Sequence, residues 1–137
     1  MTEQDFRELL RSRELKATGT RLRLLTEMEK YASAMPYTVI KEVMPSADRV
    51  TLYRTLEILL EKGIIHKALQ DKNDIYYAVC DSKCDHKQHR HDHLHFQCVR
   101  CNSVTCEKPT GSMQISLPHA EIHSVSVHVR GVCRECR

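Results

Sequence analysis

Between Cys84 and Cys106 the chain reads CDHKQHRHDHLHFQCVRCNSVTC, placing four of its seven cysteines and five of its nine histidines in one stretch. Metal chemistry is the first thing such a stretch has to explain. Cys98-Val-Arg-Cys101 is a C-x-x-C pair, and Cys133-Arg-Glu-Cys136 repeats that spacing near the other end of the chain. A two-residue gap lets both sulfurs of one turn face the same ion, so two such pairs can supply the four thiolates of a closed tetrahedral zinc site. Cys98, Cys101, Cys133 and Cys136 are therefore the expected ligands of a structural zinc. Asn102, directly after the first pair, tolerates the left-handed backbone that such turns often need.

Seven is an odd number of cysteines, and the amino end, MTEQDFRELLRSRELK, is charged throughout with no apolar region of the kind a signal peptide carries. No run approaches transmembrane length. The expectation is a cytoplasmic protein with reduced thiols, which favours metal over disulfides. A length of 137 residues allows one domain, or two small ones if something besides apolar burial supports the smaller. Tryptophan is absent and phenylalanine occurs twice, so a structural metal would supply that support. The formal net charge is +3, with 13 Lys and Arg against 12 Asp and Glu up to residue 80 and 8 against 6 beyond it. A nucleic-acid partner therefore depends on whether basic side chains share one face.

Phe6, Leu9, Leu10 and Arg13 recur at helical spacing, which predicts a short first helix over 4–13. Thr18 or Thr20 can cap a second helix with Leu22, Leu25, Met28 and Ala32 on one stripe. Thr38 is a candidate cap for a short third helix, Val39 to Met44, closed by Pro45. Ser46-Ala-Asp48 opens a fourth helix that stops near Gly63. On a helical wheel Leu52, Tyr53, Leu56, Leu59 and Leu60 share one side, and Thr51, Arg54, Thr55 and Ile58 point away from it. Arg49 starts that outward face, which has the character of a recognition helix. Ile64 to Leu69 and Ile75 to Val79 read as a hairpin around the turn 70–74, so helices followed by a β-wing describe a winged helix. Lys67 and Lys72 would lie on or beside the wing, near phosphates. After Val79 the composition changes abruptly, which places a hinge at 81–88 between units 1–80 and 89–137. Short strands are expected at about 92–98, 103–106 and 123–130. His93 and His95, two apart in a strand, share a face and can converge on one ion, and His89 and His91 extend the row.

Taken in order, Leu15-Lys-Ala-Thr-Gly-Thr-Arg21, Val50-Thr-Leu-Tyr53-Arg54-Thr-Leu, His93-Leu-His95-Phe-Gln-Cys98-Val-Arg-Cys101 and Gly131-Val-Cys133-Arg-Glu-Cys136 resemble the ferric uptake regulator family of metal-responsive bacterial repressors. The resemblance spans essentially the whole chain. It implies an α+β fold, with an N-terminal winged-helix DNA-binding domain and a small C-terminal α/β zinc-binding dimerisation domain. It further implies a homodimer on a palindromic, double-stranded operator, no enzymatic activity, and no membrane or small-molecule substrate. By position, Tyr53 and Arg54 would contact bases or backbone, and Lys16 would approach the minor groove; Arg49, Thr51 and Thr55 join them from the wheel. The resemblance also implies a second, regulatory metal site between the domains, with His93 and His95 as its usual pair.

The chain departs from the family pattern at Cys106, which stands where many members have a carboxylate. The soft thiolate shifts the preference from iron or manganese toward zinc. His93, His95 and Cys106, with one group from Cys84, His86 or His89, would make a tetrahedral N/S sensor site. Cys80 at a strand end is expected buried rather than ligating and His66 structural, while His119, His123 and His128 read as surface histidines. Alternatives are a peroxide- or iron-sensing member of the family, or a zinc-ribbon interaction or storage protein without DNA binding. An enzyme reading from His119-Ala-Glu121 and Cys133-Arg-Glu-Cys136, after the zinc deaminases, fails because no proline precedes Cys133 and Cys98 and Cys101 would be orphaned.

Overall fold

A computed structural model of the chain describes residues 1–80, 94–111, 113–123 and 125–137. The chain divides into two compact units, Met1–Cys80 and Asp81–Arg137, the second described from Leu94 onward. The fold is α+β: helices and a small sheet in the first unit, strands and turns in the described part of the second.

Each helix of the first unit begins where a side chain or a proline lets it begin. In α1 (Glu3–Ser12), the Thr2 hydroxyl accepts from the Asp5 N–H at 3.2 Å and the Asp5 carboxylate accepts from the Thr2 N–H at 2.7 Å, a reciprocal capping box. That bond holds the Asp5 carboxyl below its ordinary value. Helix α2 (Gly19–Tyr31) is capped by Thr18, which accepts from the Arg21 N–H at 3.3 Å. Helix α3 (Tyr37–Val43) is not capped by Thr38: Pro36 takes the cap position without a side-chain bond, and the Thr38 hydroxyl donates to Asp74 at 2.6 Å. Tertiary contact with the wing turn thus claims the hydroxyl that sequence alone assigns to the cap. Helix α4 (Arg49–Glu61) starts at Asp48, whose carboxylate accepts from the Thr51 N–H at 2.7 Å and is held below its ordinary value chiefly by that bond. At its other end the Arg13 guanidinium donates to the Lys62 carbonyl at 2.7 Å, a cation placed where the helix dipole is negative. Gly63 follows with φ 69°, left-handed geometry that costs glycine nothing.

These helices close over one apolar core. Phe6 and Leu10 of α1, Leu24 and Leu25 of α2, Ile40 of α3 and Leu59 of α4 are fully buried, with Ile64 and Ile65 entering from the wing. The wing consists of β2 (Ile65–Gln70) and β3 (Ile75–Val79), antiparallel, joined by a turn in which Asp71 accepts from the N–H groups of Asn73 and Asp74, each at 2.8 Å. A third strand, β1 (Met35–Pro36), pairs with Tyr76 and Tyr77 of β3, giving the order β1-β3-β2. Two residues ending in proline carry no strand pattern, which is why sequence reasoning misses β1; an edge position tolerates the missing N–H.

The second unit holds β4 (Leu94–Cys98), β5 (Val104–Glu107) and β6 (His128–Gly131) in the order β5-β4-β6. Strand β4 runs antiparallel to β5 and parallel to β6. Residues 123 and 125–127 precede β6 outside it, so the strand expected over 123–130 is shorter and shifted: the Val125-Val127-Val129 alternation continues into β6 only at its last member. Among the described residues of this unit only Cys98, Val104 and Gln97 are buried. That is too little apolar burial to hold a folded unit by itself.

Ala32, exposed at the C-cap of α2, sits at φ 65°, where a Cβ is strained. Ala32→Gly is expected to stabilise the first unit by about 1 kcal/mol, read as a higher midpoint for loss of helical circular dichroism in urea.

Candidate metal centre and nucleic-acid interface

The sulfurs of Cys98, Cys101, Cys133 and Cys136 all lie within 4.8 Å of one another. Cys101 Sγ and Cys133 Sγ are 3.9 Å apart. Tetrahedral coordination with metal–sulfur bonds of ~2.3 Å gives sulfur–sulfur edges of roughly 3.8 Å, whereas a disulfide needs ~2.05 Å. Among the described residues no cysteine is joined in a disulfide. The four-thiol set therefore fits a single tetrahedral ion, and its chemistry fits zinc.

The backbone brings these sulfurs together. Cys98 ends β4, and its carbonyl accepts from the Asn102 N–H at 2.9 Å as Asn102 adopts φ 62°, folding Cys101 back toward Cys98. The parallel β4–β6 ladder sets Cys98 opposite Gly131, two residues before Cys133, so the second pair arrives beside the first. A Cβ at Gly131 would stand 3.2 Å from the Phe96 ring, so this close approach suits glycine. In the second turn the Cys133 carbonyl accepts from the N–H groups of Cys136 at 3.1 Å and Arg137 at 3.0 Å. Arg100, inside the first pair, reaches across and donates to the Cys136 carbonyl at 2.6 Å.

The same backbone favours the thiolate form of Cys98. N–H groups are directed at Cys98 Sγ, among them those of Cys133 at 3.3 Å and Arg100 at 3.4 Å. Hydrogen bonding from the Cys101, Cys133 and Arg100 N–H groups lowers the Cys98 thiol to about 6. The sulfurs of Cys133 and Cys101 push Cys136 up to about 12. Both shifts belong to one coupled cluster of thiols. Four thiolates this close need a cation among them.

A second pair of donors lies on the neighbouring strands. His95 and Cys106 face each other in the β4–β5 register, and a ring nitrogen of His95 and the Cys106 sulfur come within 4.8 Å. Of the other expected sensor ligands, His93, Cys84, His86 and His89 lie outside the described residues, as does His91. In the first unit, sequence reasoning assigns no ligand role to His66 and Cys80, yet His66 Nδ1 and Cys80 Sγ are 3.3 Å apart. His66 is buried, and Cys80 continues β3 two residues past Ala78, its cross-strand partner. Hairpin arithmetic puts residues 66 and 80 diagonally on one face, a signal that counting from the turn would have found.

On α4 the exposed face is real but differs from the wheel at Tyr53, Thr55 and Ile58, the last packing partly buried against the core. Arg49, Thr51, Tyr53 and Arg54 are exposed, Tyr53 at 62%. Tyr53 therefore leaves the apolar side on which the wheel placed it. Thr55 is a correction in the other direction: it is buried, and its hydroxyl donates to the Thr51 carbonyl at 2.7 Å, so it presents nothing to a partner. One hundred degrees per residue is too coarse to separate positions at the edge of a stripe. Lys16, Lys67 and Lys72 are exposed. Gly19, Thr20 and Arg23 of α2 line a groove of about 390 Å³ together with Asp48 and Thr51 at the start of α4. The starts of α2 and α4 thus share one open surface.

A model of the ferric uptake regulator family matches residues 12–128. The ferric uptake regulation protein of Staphylococcus aureus is 29% identical over 143 aligned residues, covering 100% of this chain and 99% of that protein. The zinc uptake regulation protein of Escherichia coli strain K12 is 27% identical over 134 residues, covering 90% of this chain and 74% of that protein. Among solved structures, a zinc uptake regulator complexed with zinc and DNA matches with a TM-score of 0.67 at 23% identity, covering 99% of this chain and 95% of that one. The Vibrio cholerae ferric uptake regulator matches with a TM-score of 0.61 at 16% identity, covering 93% and 98%. At these identities the structural likeness speaks for the fold.

Because a tetrathiolate site must shed the Cys136 proton held up to about 12, zinc affinity is expected to fall with falling pH. Competition against a chelator should show a loss of about tenfold or more per unit below pH 7.

Proposed function

This chain belongs to the ferric uptake regulator family, and on that premise we propose that it is a zinc-responsive repressor that binds a palindromic operator as a homodimer. Family membership makes it a metal-responsive transcription regulator and not an enzyme. The zinc uptake regulator solved with zinc and DNA supports extending this to operator DNA and zinc.

The observation that carries the choice of metal is Cys106 opposite His95 on adjacent strands. An imidazole and a thiolate at that separation favour zinc over iron or manganese, which prefer carboxylate-rich sets. The Cys98, Cys101, Cys133 and Cys136 set holds a structural zinc; His95 and Cys106 contribute to the regulatory site, with His93 and one of Cys84, His86 or His89 as the remaining candidates.

Toward DNA, α4 enters the major groove with Arg49, Thr51, Tyr53 and Arg54, and Lys16 approaches the neighbouring minor groove. The apolar side chains of Ile115, Leu117, Ile122 and Val129 are exposed in the second unit, and a second copy of the chain covers them in the dimer. Two α4 helices must stand about 34 Å apart to occupy successive major grooves. Regulatory zinc favours the conformation with that spacing, and its loss returns the population to conformations that bind poorly. The metal's leverage is limited to its differential affinity for the two states.

Cys106→Ala is expected to abolish zinc-dependent retardation of the protein's own upstream DNA while one tightly held zinc per chain remains, because the closed tetrathiolate site does not use the Cys106 sulfur. Wild-type retardation restored by iron but not zinc, or a variant that still responds to zinc, contradicts the assignment.

A further inference from the structure

A second charged surface lies next to the one assigned to the operator. Arg7 and Arg11 of α1, with Lys16 in the following loop, line a cleft of about 480 Å³ whose only acidic lining residue is Glu14. Among the described residues Arg11 and Lys16 form no ion pair, while Arg7 meets Glu3 at 2.9 Å with Arg7 partly and Glu3 mostly exposed. An exposed pair of that kind is worth little and readily exchanges partners. Arg7 and Arg11 stand four residues apart on one helix face, which separates them by about 6 Å of rise. That is close to two steps of the roughly 3.4 Å axial charge spacing along one DNA strand.

The position matters as much as the charge. The cleft ends at Ala17, and the groove shared by α2 and α4 begins at Gly19. Arg21, in the first turn of α2, donates to the Lys16 carbonyl at 2.9 Å and fixes the loop between the two surfaces. A duplex seated on α4 and passing the start of α2 would next meet the Arg7 and Arg11 side of α1.

We propose that Arg7 and Arg11 form a sequence-independent phosphate track that holds DNA flanking the operator half-site. The proposal rests on the repressor reading above and deepens it: α4 supplies the sequence preference, and α1 supplies affinity that any duplex can satisfy. Its signature is electrostatic. Each neutralised phosphate contributes roughly 0.9 to the slope of log affinity against log salt.

The test uses zinc-loaded full-length protein and a random-sequence duplex, with affinity measured across a salt series. The Arg7→Ala, Arg11→Ala double variant should lower the magnitude of the slope by roughly 0.9 for each phosphate no longer neutralised, and the Arg7→Lys, Arg11→Lys double variant should retain most of it. Glu14→Gln, which removes the carboxylate from the cleft, should strengthen binding, a gain that a folding defect would not produce. An unchanged slope in the double alanine variant, or no gain from Glu14→Gln, overturns the track. Failure of the wild-type protein to bind any duplex instead overturns the repressor reading.

Discussion

Four sulfur atoms that must share one cation set the terms for the second half of this molecule. Its described part buries Cys98, Val104 and Gln97 and little else, so no hydrophobic core there offsets the entropy of ordering β4, β5, β6 and the irregular segment between β5 and β6. Metal–thiolate bonds are strong enough to do so, because in small metal domains the binding free energy is folding free energy. The strands serve that end: the parallel pairing of β4 with β6 brings Cys133 beside Cys98, although the two are far apart in sequence. The first half works the other way. There a leucine-rich core joins four helices and a wing, and no ion is required.

The two halves are thus held together by different means. A closed tetrathiolate site has no open position, so it suits structure. The His95 and Cys106 pair, on strands adjacent to that site, offers a mixed nitrogen and sulfur donor set with fewer thiolates, which suits sensing. Arg100 connects turn to turn by donating to the Cys136 carbonyl, and keeps a guanidinium near a cluster that carries excess negative charge once metallated. The exposed face of α4 depends on a cap rather than on metal. Asp48 fixes where α4 begins, and with it which of Arg49, Thr51, Tyr53 and Arg54 face outward.

Much of this was legible in the sequence, for identifiable reasons. The two C-x-x-C pairs announced the four-sulfur cluster because sulfur chemistry leaves few other uses for that spacing, and Asn102 declared its left-handed turn. Helix α4 was marked at both ends by Asp48 and Gly63. What stayed hidden depended on partners remote in sequence. Thr38 looked like a cap until Asp74 of the wing claimed its hydroxyl. Thr55 looked exposed until the core closed over it, and Tyr53 looked half-buried until nothing did. Strand β1 exists only because β3 is there to pair with it. The closeness of His66 and Cys80 follows from hairpin register, not from spacing along the chain.

The most direct measurement is amide hydrogen exchange on reduced, metal-depleted protein before and after adding one equivalent of zinc. If thiolate coordination holds the second unit together, amides of β4, β5 and β6 exchange freely without zinc and become protected with it, while those of α1, α2 and α4 are protected in both states. Protection of β4 and β6 in the metal-free protein, unchanged by zinc, would contradict the account.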